Sequence, residues 1–445
     1  MHSPMATPAQ QDRLSAEELG DTWRLLSTED RVEGFRLLER PVGEEFFFHL
    51  SSRDQADLLL ALPATERLSW LRLLAPDDAA DLVQNVPPGE REELLKLLDE
   101  PTRKEVVALL AYAEDAAGGL MNPRYARVRP DMSVDEAISY LRKQARERLE
   151  TIYYAYVLDA EQKILGVVSF RDLFSAREHQ TVRDVMRTSF ISVPEDMDQE
   201  SVSALFDRYH LFAIPVVDHE GHMKGIVTFD DIVHVVREEA TEDIQKLGGM
   251  EALDAPYLQI TIGNMIRKRA GWLSALFLGE MLTATAMSYF EDEIARAVVL
   301  ALFVPLIISS GGNSGSQATT LVIRAMALGE VKLRDWWRVI RREVISGLGL
   351  GCILGSIGLG RILTWQALFH TYGEHYLLIG LTVGTSLIGV VLWGTMAGSM
   401  LPFILRRLGF DPASASAPFV ATLVDVSGLV IYFSVATIIL SGTLL

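Results

Sequence analysis

The run ASASAPFVATLVDVSGLVIYFSVATIIL, residues 413–440, is almost wholly apolar, and Asp425 is the single charged residue in it. It is longer than the roughly 20 residues with which an α-helix crosses the hydrocarbon core of a bilayer. A carboxylate at that depth is costly, and such groups usually face water, a partner or an ion. The run therefore predicts a membrane-spanning helix with a functional Asp425.

A second polar interruption, GGNSGSQ at residues 311–317, divides an earlier apolar run. Its glycines remove side-chain bulk, and we expect them to loosen the helix, which is tolerated only beside protein or a water-filled cavity. Asn313, Ser316 and Thr320 add neutral oxygens to this wall. Close packing through small residues is the alternative, but it explains only the glycines. With Asp425, the run predicts a hydrated cation pathway.

One carboxylate alone is a poor site for a divalent cation, whereas a twofold dimer would bring two copies of Asp425 to a shared axis. Ala421 lies one helical turn before Asp425, so its carbonyl is expected on the same face. Carboxylates and neutral oxygens suit Mg²⁺, which sheds its water reluctantly. Ca²⁺ and Mn²⁺ accept the same ligands, so spacing alone does not choose among them.

Five apolar runs are long enough to span a bilayer, and they lie near 270–290, 296–326, 343–365, 376–404 and 412–441. Basic residues cluster before the first run, between the second and third, and between the fourth and fifth. The positive-inside rule therefore predicts a cytoplasmic N-terminus and an extracytoplasmic C-terminus.

The formal net charge of the 445-residue chain is −18, although its mean hydropathy is +0.19. Acidic and basic residues are equal in number from Ala270 onward, so the whole acidic excess precedes it. Such a charge argues against nucleic acid and favours cationic partners or simple solvation. The single cysteine, Cys352, excludes an intrachain disulfide. No nucleophile–base pair, P-loop or His-rich metal motif occurs, so we do not expect an enzyme.

Residues 25–110 repeat a Leu-rich unit of about a dozen residues, and several units end in proline. Because proline cannot sit inside a helix, each one marks a new start. The repeat predicts short helices stacked as a small right-handed superhelix. A packing domain without chemistry is the simplest interpretation of this region.

Residues 121–236 contain a duplication in which equivalent residues are 59 positions apart, as Gly166 and Gly225 or Asp172 and Asp231 show. Each copy is predicted to form a strand, a turn, a second strand and a helix. The pattern resembles a tandem pair of cystathionine-β-synthase (CBS) domains, in which Ser/Thr-x-x-Asp follows the second strand.

The CBS resemblance implies an adenine-nucleotide cleft lined by Tyr154, Arg171 and Asp172, with Asp172 on the ribose hydroxyls. The alternative is that Asp172 and Asp231 only cap the helices that follow them.

An acidic segment follows the duplication, REEATEDI at residues 237–244. Glu238 and Glu242, like Glu239 and Asp243, are four residues apart and place like charges on one helix face, which destabilises an isolated helix. The spacing makes sense if a cation lies between them, and a solvated face is the alternative.

Along nearly its whole length the chain resembles the MgtE family of magnesium channels. The resemblance is carried by GGLM at 118–121, EATEDI at 239–244, GGN at 311–313 and the stretch 411–425. It implies a multi-domain membrane protein with an α-helical superhelical N domain, tandem α/β CBS domains, an acidic connecting helix and a five-helix transmembrane domain. The implied boundaries are 1–120 for the N domain, 121–182 and 183–236 for the CBS domains, 237–267 for the connecting helix and 268–445 for the pore domain.

The resemblance also implies a homodimer in the cytoplasmic (inner) membrane whose second and fifth spans line the pore. In that pore Asp425 and the Ala421 carbonyl hold a hydrated Mg²⁺, helped by Gly312. The implied regulatory residues are acidic or offer a backbone carbonyl: Asp198, Glu200, Asp231, Glu239, Glu242, Asp243 and Gly119, with Asp77, Asp78 and Asp81 as candidates from the N domain. Asp411 is a further implied metal ligand.

Four positions depart from the family pattern. Ser316 and Ala417 stand where the family usually has Asn, so the outer shell of the pore ion is expected to differ. His210 and His234 occupy positions that are often acidic, which should weaken regulatory metal binding or make it sensitive to pH.

We therefore expect a Mg²⁺-selective channel that closes when cytosolic Mg²⁺ is high, with ATP as a candidate regulatory ligand. One alternative is a transporter for another divalent cation, Co²⁺ or Mn²⁺. Another is a nucleotide-sensing membrane protein whose polar span is only structural.

Overall fold

A computed structural model describes residues 15–146, 149–177 and 179–444 of the chain. The chain divides between Glu238 and Glu239 into two compact units, here called the first and the second unit.

The first unit begins with eight short helices of similar length. They are α1 (Ala16–Thr22), α2 (Thr28–Leu37), α3 (Arg40–His49), α4 (Ser52–Ala61), α5 (Ala64–Leu71), α6 (Pro76–Gln84), α7 (Pro88–Leu97) and α8 (Glu100–Leu109), with a 3₁₀ turn at Trp23–Leu25. Serine or aspartate side chains cap four of these helices, and proline lies in the first turn of others. Both features favour helix starts, so the predicted series of short helices is confirmed.

Aromatic and aliphatic side chains fill the interior of this helical region. Phe35 packs against Phe47 and Trp70, and Phe47 is fully buried. Leu59 and Val83 from later helices belong to the same core. Because each short helix buries only one face, the region is stable only as a stack of neighbours.

Two similar αβ repeats complete the first unit. The first repeat comprises α9 (Ala117–Leu120), β1 (Arg127–Val128), α10 (Val134–Gln144), β2 (Tyr154–Leu158), β3 (Ile164–Ser169) and α11 (Phe170–Phe174). The second comprises α12 (Val182–Val185), β4 (Val193–Pro194), α13 (Gln199–Tyr209), β5 (Ala213–Val217), β6 (Met223–Thr228) and α14 (Phe229–Leu247), whose last residues belong to the second unit.

The register of the two sheets confirms the duplication. Each sheet has three strands, with one parallel and one antiparallel pair. Gly166 pairs with Val157 and Gly225 pairs with Val216, and both ladders shift register directly after these pairs. A Cβ on Gly166 would lie 2.8 Å from the Arg187 carbonyl oxygen, and one on Gly225 would lie 2.8 Å from that of Asn122. The repeated glycine therefore leaves room for the backbone at Arg187 to approach the first hairpin and for the backbone at Asn122 to approach the second.

The second unit is helical after the end of α14. Its helices are α15 (Ile262–Tyr289), α16 (Glu291–Arg296), α17 (Val298–Ala301), α18 (Val304–Ala327), α19 (Trp336–Phe369), α20 (Tyr376–Arg407) and α21 (Ala417–Leu440), with 3₁₀ turns at Leu333–Asp335 and Pro412–Ser414. Five stretches of the described chain are long and apolar enough to cross a membrane: Ile262–Tyr289, Val298–Ala327, Leu333–Phe369, Tyr376–Arg407 and Ala417–Leu440. The five predicted spans agree with these helices.

The expectation that the glycine-rich run loosens the second span is wrong, because α18 is a continuous helix from Val304 to Ala327. A Cβ on Gly394 of α20 would lie 2.5 Å from the carbonyl oxygen of Gly311, and one on Gly398 would overlap the carbonyl oxygen of Gly315. The small residues thus bring two helix backbones into direct contact. The alternative explanation, close packing, holds for this face of α18.

Candidate functional site

Asp425 lies two turns into α21, whose beginning is fixed by local hydrogen bonds. Ser416 caps the helix by accepting a hydrogen bond of 3.3 Å from the Phe419 amide, and its hydroxyl also accepts one of 3.1 Å from the indole of Trp272. Pro418 lies in the first turn, where a missing amide proton costs nothing. Asp425 is half-buried, so the fold holds its carboxylate neither in dry packing nor in free exposure.

Gly312 of α18 faces both Asp425 and Ala421. A Cβ built on Gly312 would lie 3.5 Å from a carboxylate oxygen of Asp425 and 3.3 Å from the Cβ of Ala421. The absence of a side chain therefore leaves room beside the carboxylate. The structure brings together the three residues that the sequence assigns to the pore ion.

The other predicted pore residues lie along the same stretch of α18 and at the start of α21. Asn313 and Thr320 are exposed, and the Thr320 hydroxyl donates to the Ser316 carbonyl at 2.9 Å within its own helix. The Ser316 hydroxyl instead donates to the Ala417 carbonyl of α21 at 3.1 Å. Thus Ser316 and Ala417, the two positions at which the family resemblance led us to expect asparagine, contact each other.

Glu280 of α15 is a residue near Asp425 that the sequence analysis did not select. A Cβ on Gly279 would lie 2.9 Å from the Thr422 side chain, so α15 closely approaches α21 at this level. Glu280 is exposed in the single chain, and its negative charge repels that of Asp425. Its signal in the sequence is an acidic residue in the middle of the first apolar run.

In the first unit, Asn122 joins two acidic side chains from different segments. Its fully buried amide donates to Asp77 at 3.0 Å and to Glu150 at 2.7 Å. Burial, together with the charges of Asp231 and other nearby carboxylates, raises the pKa of Asp77 well above its usual value. The pKa of Asp231 is also raised, chiefly by burial, and its carboxylate accepts a 2.6 Å hydrogen bond from the Thr228 hydroxyl.

Further carboxylates approach this cluster from α6 and α14. Burial and the charges of Asp78, Glu114 and Glu238 raise the pKa of Asp81 to about 7. Burial and the charges of Asp78 and Asp230 raise that of Glu150 to about 7 as well. His234 lies where its positive charge would act on Asp78 and Glu238. We call this set, Asp77, Asp78, Asp81, Glu150, Asp231 and Glu238, the acidic cluster.

Asp198 caps a helix, and Gly119 packs closely against the backbone. Asp198 is exposed and caps α13, accepting hydrogen bonds of 3.1 Å from the Glu200 amide and 3.3 Å from the Ser201 amide. It lines a cavity of about 410 Å³ with Tyr112, Glu195 and His219, among others. A Cβ on Gly119 would lie 3.0 Å from the Glu114 carbonyl oxygen. His210 ends α13 with a φ of 51°.

The predicted nucleotide residues lie at the end of β3 and the start of α11. Asp172 accepts a 2.7 Å hydrogen bond from the Ser169 hydroxyl and lies 3.3 Å from Arg187. Asp172 with Ser169 and Asp231 with Thr228 therefore do help to cap the helices that follow them, which leaves the nucleotide role of Asp172 a proposal. Tyr154 of β2 is half-buried and Arg171 is exposed.

An exposed aromatic pair adjoins this region. The rings of Tyr153 and Phe212 stack with centroids 5.2 Å apart and planes inclined by 25°. Both side chains are more than half exposed. Flat exposed rings of this kind can stack on a nucleobase.

In the second unit, the predicted regulatory carboxylates surround a lysine. Lys246 of α14 lies 2.6 Å from Asp411 and also contacts Glu242. Burial and the charges of Asp411 and Glu239 raise the pKa of Asp243 to about 6. Lys246 is not among the residues predicted from the sequence, where its signal is its position four residues after Glu242.

Within residues 15–146, 149–177 and 179–444, no three Asp, Glu, His or Cys side chains converge in a geometry that would hold a metal ion. The donor types nevertheless suit a hard cation, since carboxylate and carbonyl oxygens dominate at both Asp425 and the acidic cluster. A cation would therefore have to draw the cluster together, or be held through its water.

Family models cover most of the chain. A model described as a divalent cation transporter matches residues 304–435, an MgtE intracellular N domain matches 14–115, and CBS domains match 117–179 and 182–238.

Curated relatives agree with these family models. The magnesium transporter MgtE of Thermus thermophilus is 40% identical over 97% of this chain and 94% of the relative. That of Bacillus subtilis is 35% identical over 75% of this chain and 72% of the relative. Among solved structures, the cytosolic domain of the Mg²⁺ channel MgtE in complex with ATP is 40% identical in sequence to the part of this chain that it matches. The match spans 51% of this chain and 92% of the solved chain, with a TM-score of 0.47.

Proposed function

Since the chain belongs to the MgtE family of magnesium transporters, we propose that it is a Mg²⁺-selective channel. Members of this family are membrane-embedded divalent cation transporters and not enzymes. The proposal includes a homodimer in the cytoplasmic membrane, with the N-terminus in the cytosol and the C-terminus outside. The distribution of basic residues between the spans supports this orientation.

The observation that carries the proposal is the meeting of Gly312, Ala421 and Asp425. Space next to a half-buried carboxylate at membrane depth can accept an ion that keeps its inner water shell. A twofold axis beside α18 and α21 would supply a second carboxylate and a second row of neutral oxygens. Asn313, Ser316, Thr320 and the Ala417 carbonyl would then contact the outer waters.

Gating by cytosolic Mg²⁺ would use the carboxylates outside the spans. In the acidic cluster, ionised Asp77 and Asp231 repel each other, and Asp81 is repelled by Asp78 and Glu238. Mg²⁺ would remove that repulsion. Asp198, Glu200 and the Gly119 carbonyl are further proposed ligands of the first unit. Glu239, Glu242, Asp243 and Asp411 are those of the second. Mg²⁺ closes the channel only to the extent that it binds the closed state more tightly.

Nucleotide binding is a second, regulatory part of the proposal, supported by the exposed stack of Tyr153 on Phe212 beside Tyr154. A ribose hydroxyl on Asp172 would compete with Arg187, which lies 3.3 Å from that carboxylate and is itself largely exposed. Arg171 is free to turn toward phosphates because it is at the surface.

Flux into proteoliposomes, measured against Mg²⁺ inside and outside, tests the proposal. We expect uptake that falls as Mg²⁺ rises on the side of the first unit. Competition by Co²⁺ and Mn²⁺ separates a Mg²⁺-selective channel from a transporter for those ions. Cross-linking at cysteines placed on α18 and α21 tests the dimer. Uptake of Co²⁺ or Mn²⁺ in preference to Mg²⁺ would reject the selectivity.

A further inference from the structure

Lys246 lies in the last turn of α14, which places a positive charge at the negative end of the helix. Glu242, one turn earlier, contacts its ammonium group. A glutamate four residues before a lysine is the favourable order for such a pair. The pair therefore fixes the direction in which the lysine extends.

Asp411, 165 residues further along the chain, is the second partner of Lys246. One oxygen of its carboxylate accepts a 2.8 Å hydrogen bond from the Ala413 amide, and the other lies 2.6 Å from the Lys246 ammonium. The first bond closes the 3₁₀ turn Pro412–Ser414 that leads into α21. Asp411 thus connects the lysine directly to the beginning of the helix that carries Asp425.

Apolar contacts on both sides of Lys246 strengthen this connection. Leu247 packs against a buried cluster formed by Ile323 of α18 with Ala413 and Ala415. Gly249, with a φ of 73°, lies against Trp272 and Pro418, because a Cβ there would be 2.9 Å from the indole and 3.1 Å from the proline ring. The end of α14 and the residues just after it therefore pack against the start of α21 and the end of α18.

Glu242 and Asp411 are also two of the proposed Mg²⁺ ligands, and the lysine lies between them. We propose that the Lys246 ammonium is a tethered cation that holds the end of α14 on the start of α21 without Mg²⁺, and that Mg²⁺ must displace it to bind Glu242 and Asp411. The Mg²⁺ step rests on the proposed function, whereas the contact without metal does not. Lys246 acts as a positioning residue, since it touches the carboxylates and not the transported ion.

Hydrogen exchange of the full-length protein in nanodiscs tests the proposal, with residues 239–253 as the reporter peptide. In EDTA, Lys246→Met should raise the exchange rate of this peptide about fivefold, the size expected for one lost ion pair. Asp411→Asn should do the same, whereas Lys246→Arg should retain protection. Lys268→Met is the matched control, because the ion pair of Lys268, with Asp254 at 2.8 Å in the same unit, does not involve Asp411.

Mg²⁺ gives the second arm of the experiment. Added Mg²⁺ should restore the protection of residues 239–253 in Lys246→Met. The Mg²⁺ concentration needed should be lower than the one that alters the exchange of the same peptide in the unmodified protein, because Glu242 and Asp411 are no longer paired with a lysine. Unchanged exchange of Lys246→Met in EDTA would overturn the tethered cation, and equal Mg²⁺ midpoints would overturn the competition. Mg²⁺ uptake is measured separately, so a failure of the transport proposal leaves the EDTA result readable.

Discussion

The Ser316 hydroxyl of α18 donates a 3.1 Å hydrogen bond to the backbone carbonyl of Ala417, the first residue of α21. The second and fifth spans are thus joined by a polar contact two turns before Asp425.

Ser316→Ala should lower the free energy of unfolding by about 1 kcal/mol, the usual net value of one hydrogen bond. Thermal unfolding in detergent measures the change. Thr320→Ala is the control, because the Thr320 hydroxyl bonds only within its own helix. Equal shifts for the two variants would show that the contact between the spans contributes nothing of its own.

Asp425→Asn should reduce Mg²⁺ uptake to that of vesicles without protein, while the amount of folded protein stays the same. The amide keeps the shape of the side chain and removes its charge, so a loss of flux reports on electrostatics and not on packing. Glu374→Gln, in the loop between α19 and α20, should leave uptake unchanged. Asp425→Asn with normal uptake would remove this residue from the pathway.

Glu280→Gln should lower Mg²⁺ uptake without abolishing it. Glu280 contributes negative charge near Asp425 but is not placed beside Gly312 as Asp425 is. Lower attraction for the cation should appear as a higher Mg²⁺ concentration for half-maximal uptake, and less as a lower maximal rate. A neutral substitution at Glu291, outside the long helices, is the control; the same effect there would point to general surface charge.

Gly398→Ala should destabilise the second unit by about 1–3 kcal/mol or prevent its folding, because its methyl group would meet the Gly315 carbonyl oxygen. Gly360→Ala in α19 has nothing within 4 Å of the new methyl and should be neutral or stabilising. Expression and thermal unfolding of the two variants give a direct comparison. Similar stability for both would contradict the close contact of α18 and α20.

Without Mg²⁺, the first unit should become less stable as the pH rises from about 4 to about 7. The pKa values of Asp81 and Glu150 are each raised to about 7 in the folded protein, against about 4 in an unfolded chain. The folded state therefore holds more protons, and its stability falls by about 1.4 kcal/mol per pH unit for each extra proton held.

Hydrogen exchange of residues 76–84 as a function of pH measures this effect. Asp81→Asn should flatten the dependence, and Mg²⁺ should reduce it near pH 7 by favouring the ionised carboxylates. Stability that rises with pH in this window would show that these groups are not crowded as the structure places them.

The membrane helices and the meeting of Ala421 with Asp425 could be predicted, because apolar length and helical periodicity are local properties of the sequence. The duplication was equally visible, since both hairpins need a glycine at the same register. The contacts of Lys246 with Asp411 and of Glu280 with the α21 region join distant segments, so local pattern did not reveal them. The glycines of α18 were visible but misinterpreted, because only the position of α20 shows that they accept another backbone.

At Gly311–Gly394 and Gly315–Gly398, no side chain separates the backbones of α18 and α20. Two rods in such contact cannot slide past each other without collision of their carbonyl groups, so they should travel as a single body. Within one protomer, a change of shape next to Asp425 would then come from α15 or α21 moving against that pair. The small residues thus favour movement of α18 and α20 together, and they leave α15 and α21 as the helices of the protomer that could move in the proposed pore.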